Sequence, residues 1–292
     1  MEKQVFNLSK INGMFPLPLR ERFQLENLTF PSPTAFFGRR GSDCRRGTSR
    51  TSTGEVRVRG KNLAFTLAEV LITLGIIGVV AAITMPTLIQ NHKEKQIITS
   101  VKKSYSILSQ AYQQILFNEG NPYNWFDKTL SQVENSKILA EKFKPYLKIA
   151  KDCGADAGCF PDKVTTFLDG RENSNTNTSN LSYKIIMADG TPVSFYVNAS
   201  YIDGTGNTIG SIRIDADGFR GNSVFGKDVF QFYFDEKRFY TNTDPDYINN
   251  NCLKQQGFEP GVACVTWILT YGNMDYLHCP EKLDWNGKTK CK

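Results

Sequence analysis

The sequence predicts an α+β protein in which a long, membrane-anchored N-terminal helix packs on a small antiparallel sheet, followed by a disulfide-bearing C-terminal region. Three observations predict it. Residues 65–90 are almost entirely apolar, residues 97–116 repeat apolar side chains at helical spacing, and residues 183–240 contain short strand-like runs. A helix on one face of an antiparallel sheet buries the apolar surfaces of both.

The apolar run has the length of a membrane span. Residues 65–85 are 21 residues with a single formal charge, Glu69. At ~1.5 Å per residue, a helix of that length rises roughly 30 Å, which is the hydrocarbon thickness of a bilayer. A carboxylate among lipid tails costs at least ~2.5 kcal/mol, so we expect Glu69 to have a function.

The charge is concentrated ahead of this run. The chain has 35 Lys and Arg against 29 Asp and Glu, and residues 1–64 hold 12 of the former and five of the latter. The leader therefore carries +7 and the remainder −1. Basic residues before the span predict that this end stays in the cytoplasm. The near-neutral remainder has no basic excess for nucleic acid, and the Pro-, Arg- and Gly-rich leader predicts no fold.

A cut between Ala64 and Phe65 would give Glu69 a partner. It would create a cationic α-amine on Phe65, four residues from the carboxylate. Within one subunit the two groups do not face each other ideally. Between neighbouring subunits in a bundle, each carboxylate could meet the amine of the next subunit, so that both charges are neutralised inside lipid.

Residues 64–72, AFTLAEVLI, resemble the processing signal of type IV pilins and type II secretion pseudopilins. The resemblance implies that a prepilin peptidase cuts before Phe65 and methylates it, and that Glu69 is the acid used in assembly. Gly78 and Pro86 match the glycine and proline of many pilin stems, and the segment between them is implied to lose helicity on assembly. Ala64 stands where the family usually has Gly.

The resemblance implies a structural subunit, not an enzyme. Such a subunit sits in a bacterial inner membrane with its head outside the cytoplasm, and its partners are other pilin-like subunits, the prepilin peptidase and an inner-membrane assembly platform. The implied division is a removed leader over residues 1–64, a transmembrane half-stem over 65–86, an amphipathic half-stem over 87–118 and a head over 119–292.

Other functions stay open at this point. The apolar run could be an ordinary anchor or a secretory signal cut after residues 80–82, although Glu69 inside it disfavours both. An enzyme on a stalk is disfavoured because no GxSxG, HExxH or P-loop motif occurs and the chain has two His, His92 and His278. A stalked adhesin or ligand-binding head that never polymerises shares every feature downstream of the cut.

The residues past Pro86 predict the second half of the stem. Apolar side chains recur at threes and fours on one face of a helix that should end near Asn118, before Gly120. They are Ile97, Val101, Tyr105, Leu108, Tyr112, Ile115 and Leu116. Residues 123–150 predict one or two further short helices.

Strands are predicted from residue 183 onward. Tyr183–Met187 and residues 193–197, joined by Asp189-Gly190, predict a hairpin. Residues 211–214 and Val229–Phe234 predict two more strands, and Phe239–Tyr240 begins another.

Three acids surround a glycine-rich turn between two of these strands, and the pattern resembles a loop of pseudopilin-like heads. Asp215, Asp217 and Asp228 could gather around Ca²⁺, which prefers carboxylate and carbonyl oxygens. The spacing is not that of an EF-hand, and the alternative is a tight turn with solvated Asp side chains. No other cofactor is expected.

Six cysteines follow the apolar run, while Cys44 precedes it. An even number in a translocated segment predicts disulfides, and fifteen pairings are open. We expect sequence neighbours to pair: Cys153 with Cys159, Cys252 with Cys264 and Cys279 with Cys291. A zinc site is the alternative, disfavoured by the lack of a CxxC pair and by the two His.

The tail, residues 246–292, lacks regular periodicity and predicts a loop region held by disulfides. Its aromatic residues are Trp267, Tyr271, Tyr276 and Trp285. We expect them to form a small local core, with a partner-binding surface as the alternative.

Overall fold

The computed structural model describes residues 66–198 and 208–292, which belong to one unit spanning residues 64–292. Ala64, Phe65 and the leader lie outside the described residues. The α-helices in the described part are α1 (Leu67–Glu119), α2 (Gln132–Phe143), α3 (Pro245–Ile248) and α4 (Cys264–Tyr271). The strands are β1 (Ile149–Gly154), β2 (Tyr183–Met187), β3 (Pro192–Val197), β4 (Gly210–Asp215), β5 (Val229–Phe234) and β6 (Phe239–Tyr240).

The six strands form one sheet in chain order, and every neighbouring pair is antiparallel. Register places Phe195 opposite Ile212 and Ile212 opposite Phe232, so these buried side chains share one face. Gly190 has φ +89°, which suits the Asp-Gly turn between β2 and β3. The predicted antiparallel sheet is therefore confirmed.

Helix α1 covers the apolar face of this sheet with its C-terminal half. Val101, Leu108 and Ile115 have no exposed surface, and Tyr112 lies between aromatic rings of the sheet and of α2. The Tyr112 hydroxyl donates to the backbone oxygen of Asp235. The predicted apolar face of the stem is confirmed, and the helix ends one residue past Asn118.

Strand β1 is absent from the prediction, which placed one or two short helices in residues 123–150 and a disulfide loop from Cys153. The segment does contain α2 and two short 3₁₀ turns, but residues 149–150 already belong to β1. This strand lies at the sheet edge, and its central residues are exposed. It therefore lacks the apolar alternation from which strands are inferred.

The prediction of a loop-like tail is wrong. Residues 245–253 form α3 and a π-helical turn, and the apolar helix α4 packs against α1. Trp267 and Tyr276 are fully buried in the main core, not in a small separate one.

The disulfides join sequence neighbours, as the neighbour pairing expects. Cys153 pairs with Cys159, Cys252 with Cys264 and Cys279 with Cys291. The second pair ties the π-helical turn to the first residue of α4. All three lie in the head, where each closes a short loop and thereby stabilises the fold.

Candidate functional site

The start of α1 carries the acid that the sequence singles out. Thr66 is the N-cap, and its Oγ1 accepts a hydrogen bond from the Glu69 N–H at 3.3 Å. Glu69 Oε2 in turn accepts from the Thr66 N–H at 2.8 Å and from Thr66 Oγ1 at 2.9 Å. This reciprocal pair is a capping box, which satisfies two of the free N–H groups at a helix start.

The capping box gives Glu69 a partner within its own helix. Sequence reasoning missed Thr66, although Thr-x-x-Glu ahead of an apolar run is a recognised signal. Phe65 lies outside the described residues, so the distance from its amine to Glu69 is not part of the structure. Pairing of Glu69 with the Phe65 amine of a neighbour stays a prediction.

Beyond Glu69, α1 exposes apolar side chains on all sides. In the described residues, α1 alone is long and apolar enough to cross a membrane; its most apolar window has a mean hydropathy of 2.3 and is not buried at all. The exposed side chains are Leu67, Val70, Leu71, Ile72, Leu74, Ile76, Ile77, Val79, Val80, Ile83, Met85, Leu88 and Ile89. A β-carbon added at Gly75 or Gly78 would meet nothing within 4 Å. Space beside these glycines is thus open to a neighbouring helix.

Helix α1 runs through Gly78 and Pro86 without a break. Pro86 removes one helical hydrogen bond, since it has no N–H to donate. The predicted loss of helicity between the two residues concerns an assembled filament, and it stays a prediction for that state.

The loop between β4 and β5 brings together the three predicted acids. Asp215 ends β4, Asp228 precedes β5, and both are almost fully buried, whereas Asp217 is half-buried. The Ala216 N–H donates to the Asp228 backbone oxygen at 2.7 Å, which closes the loop at its neck. The Asp228 carboxylate accepts from the Val224 N–H. Asp215 and Asp228 are therefore not the solvated side chains of an open turn.

Burial dominates the electrostatics of this loop. It raises the pKa of Asp215 to about 9, and the close approach of the Asp217 and Asp228 carboxyl groups adds to the effect. Burial likewise raises the pKa of Asp228 to about 7 and raises the pKa of Asp217. All three acids therefore stay protonated to a higher pH than an exposed aspartate does.

Two carboxylate oxygens in the loop lack a partner. Asp215 Oδ1 and Asp217 Oδ1 are buried without a hydrogen bond to any described group, while Asp215 Oδ2 accepts from Ser223 Oγ at 3.3 Å. Two ionised carboxylates cannot hydrogen-bond each other, because neither has a proton to donate. A shared proton or a cation between them would satisfy both oxygens.

The donor chemistry of the loop fits a hard cation, since every available ligand atom is oxygen. No set of three His, Cys, Asp or Glu side chains in residues 66–198 and 208–292 is arranged so that it could hold a metal ion. A cation at Asp215 and Asp217 would therefore take further ligands from backbone oxygens or water.

The matched family model covers most of the head and none of the apolar half-stem. Residues 87–267 match a family model described as a family of unknown function, DUF6613. The match begins directly after Pro86, so it includes the sheet and the acidic loop but not residues 64–72. No curated protein and no solved structure matches the chain.

Proposed function

We propose that this chain, which belongs to the DUF6613 family of unknown function, is a structural subunit of a type IV pilus-like or type II secretion pseudopilus filament. In this proposal, a prepilin peptidase cuts between Ala64 and Phe65 and methylates Phe65. Helix α1 holds the subunit in a bacterial inner membrane, with the head outside the cytoplasm, until an assembly platform adds it to other pilin-like subunits.

One observation carries the proposal: the first half of α1 has no cover within the described chain. Leu67 is 80% exposed and Ile83 70% exposed, whereas Leu108 and Ile115 in the second half are fully buried. Covering a Leu or Ile side chain contributes ~1.5–3 kcal/mol, so a row of exposed ones strongly favours lipid or neighbouring helices around it. A filament subunit needs lipid before assembly and helices after it.

Glu69 favours a filament over a plain anchor. An anchor gains nothing from an acid among lipid tails, and the capping box satisfies the carboxylate only in part, because it supplies hydrogen bonds without a positive charge. In the proposal, the methylated amine of Phe65 on a neighbouring subunit supplies that charge and thereby sets the axial register of the filament.

An assembly assay with three variants tests the proposal. Glu69→Gln keeps a side-chain oxygen for the cap but removes the charge, whereas Thr66→Ala weakens the cap and keeps the charge. We expect Glu69→Gln to insert into membranes normally but to be lost from sheared filaments when co-expressed with the unsubstituted chain. Thr66→Ala should still be incorporated, and so should Glu94→Gln, an equal charge change in the other half of α1.

Normal incorporation of Glu69→Gln would contradict the charge-pairing role. Absence of all three variants from the filaments would instead indicate that any substitution in α1 disturbs the helix enough to block incorporation. If the unsubstituted chain itself is never found in filaments, the stalked adhesin or ligand-binding protein becomes the better description.

We further propose that the acidic loop binds Ca²⁺ through Asp215 and Asp217. The supporting observation is the pair of buried oxygens without partners. A bound cation would offset the charges of Asp215 and Asp217 and stabilise the connection between β4 and β5. Thermal unfolding tests this directly: Ca²⁺ should raise the melting temperature relative to a chelator, more than Mg²⁺ does, and Asp217→Asn should abolish the difference. An equal melting temperature with Ca²⁺ and with chelator would contradict it.

A further inference from the structure

The end of the head that lies beside the first polar turns of α1 exposes several cations and one aromatic ring. Phe219, in the loop between β4 and β5, is 54% exposed. We call the group formed by this ring and the exposed cations near it the base surface: Lys93, Lys163, Phe219, Arg220 and Lys227.

The loop itself places these residues together. Asp217 lies close enough to Arg220, Lys93 and Lys227 for their charges to oppose the rise of its pKa. Lys163 Nζ donates to the Gly221 backbone oxygen at 2.8 Å, one residue from Arg220. Lys93 is the contribution of α1, and the other members come from the head.

Contacts between the head and α1 fix the position of the base surface along the axis of α1. His278 Nε2 lies 2.9 Å from Glu94 Oε1, and Lys103 Nζ lies 2.7 Å from Asp189 Oδ2 in the β2–β3 turn. The same turn approaches the loop, since a β-carbon added at Gly218 would lie 3.4 Å from the Gly190 oxygen. The base surface is therefore held level with residues 93–103 of α1.

The acids at this end of the head leave its cations in excess. Asp215 and Asp228 are buried, and Glu94 and Asp189 are paired with His278 and Lys103. Asp217 is half-buried among the cations. Asp162, beside Lys163, is exposed and accepts from the Asn175 amide. Four exposed cations thus face two acids, Asp162 and Asp217, that are neither almost fully buried nor bonded to a basic side chain.

The rise per residue of α1 gives the depth of Lys93 relative to the bilayer. Lys93 is four residues past Ile89, the last residue of the exposed apolar run, which corresponds to ~6 Å along a helix. The headgroup layer extends roughly 5–7 Å beyond each side of the hydrocarbon core. With the apolar half of α1 in the bilayer, Lys93 therefore stands at headgroup depth.

We propose that the base surface binds the anionic phospholipid headgroups of the membrane that holds α1. Phe219 enters the interface, as aromatic residues at membrane boundaries do, and the cations face lipid phosphates. This contact fixes the orientation of the head on the membrane before assembly. The inference rests on the membrane embedding of α1 in the proposed function, but it does not depend on polymerisation.

Tryptophan fluorescence of the full chain in nanodiscs tests the proposal. The reporter is a tryptophan placed on the base surface (Phe219→Trp), at the far end of α1 (Phe117→Trp) or in its apolar half (Val79→Trp). Phe117 is a matched control because it is 87% exposed and lies ~36 Å further along α1 than Lys93. The signal of the three native tryptophans is subtracted with the unsubstituted chain. The probes are phosphatidylcholine discs with and without phosphatidylglycerol, and a spin-labelled headgroup lipid acts as quencher.

We expect the headgroup quencher to reduce Phe219→Trp emission severalfold more than Phe117→Trp emission, and more so in discs with phosphatidylglycerol. Adding Arg220→Glu should remove the effect of phosphatidylglycerol, whereas Lys137→Glu, an equal charge change on α2, should not.

Equal quenching at positions 219 and 117 would overturn the proposal, and so would quenching at 219 that ignores phosphatidylglycerol. Membrane embedding of α1 is measured separately, by the quenching of Val79→Trp emission with lipids brominated on their acyl chains. Quenching there without quenching at 219 defeats this inference alone, whereas no quenching at 79 defeats it together with the membrane embedding of α1.

Discussion

The two halves of α1 belong to one continuous helix and differ in what covers them. Residues 67–89 expose large apolar side chains all round, while the part from Ile97 to Leu116 turns one stripe of them into the head. Leu74 is 60% exposed and Leu108 is fully buried. The difference indicates that the second half finds its partner within the head, whereas the first half has none among the described residues.

The head reinforces that division. Aromatic rings from α1, α2 and the sheet meet at Tyr112, which lies within about 6 Å of Phe143 and Phe234 centre to centre. The Cys252–Cys264 and Cys279–Cys291 disulfides and α4 add to the same core. We therefore expect the head to unfold as a unit that is insensitive to the sequence of the apolar half.

The largest effect should come from a matched pair of Leu→Ala substitutions. Leu108→Ala leaves a cavity in the core and should lower the free energy of unfolding of the head by ~2–5 kcal/mol. Leu74→Ala changes an exposed position and should lower it by less than ~0.5 kcal/mol. Denaturant unfolding of the full chain in detergent, followed by near-ultraviolet circular dichroism, measures both. Similar losses in the two variants would remove the distinction between the halves.

Removal of one disulfide should affect the head alone. Cys252→Ser together with Cys264→Ser opens a short loop at the start of α4 and should cost ~2–4 kcal/mol of head stability. Membrane insertion of α1 should not change, as co-flotation with liposomes can show. A variant that no longer floats would indicate that head folding and anchoring are coupled.

The acidic loop should make head stability depend on pH. In the fold the pKa of Asp215 is about 9 and that of Asp228 about 7, both above the ordinary value for aspartate. The stability that these two protonated acids give to the fold is therefore fully present below pH ~4. It is lost as pH rises through 7, where Asp228 ionises, and then through 9, where Asp215 ionises. Aspartates whose pKa is lowered, such as Asp189, act in the opposite direction but only in acid, below this window.

We expect stability in chelator to fall by at least ~2 kcal/mol between pH 5 and pH 9, and Asp215→Asn to flatten part of that fall. Chemical denaturation at several pH values measures it. A profile for the unsubstituted chain that rises with pH would contradict the burial of these acids.

The smallest effect compares two capping boxes. Thr66 caps the apolar half of α1, and Ser131 caps α2 in the head with the same reciprocal bonds to Glu134. Ser131→Ala should lower head stability by about 1 kcal/mol. Thr66→Ala should leave head stability unchanged and only speed hydrogen exchange in the first turn of α1. Loss of head stability in Thr66→Ala would show that the first turn supports the head.

Much of the fold could be predicted because local signals and tertiary structure agree. The Asp189-Gly190 turn between two apolar runs fixes a hairpin, and the stripe from Ile97 to Leu116 has the period of a helix with one covered face. Strand β1 was not predicted because an exposed edge strand has no apolar alternation. Helix α4, CVTWILTY, was not predicted because it has only eight residues and its first five are all buried, so they show no apolar stripe.

The site was predictable to a different degree. Glu69 is conspicuous as an acid in an apolar run, and Asp215, Asp217 and Asp228 stand out by spacing. Their burial was not predictable, because it depends on distant segments such as Tyr276, whose hydroxyl donates to the Gly226 oxygen at 2.6 Å. A turn of the type Asp-x-Asp-Gly is usually solvated, and only the packed tail makes this one different.

Mass spectrometry of the N-terminus of the mature protein tests the central claim most directly. The full chain is expressed together with a prepilin peptidase and recovered from membranes, with Ala64→Gly as a variant that restores the usual residue before the cut. We expect both the unsubstituted protein and Ala64→Gly to begin at a methylated Phe65. An intact leader, or a chain that begins after Ala82, would contradict it.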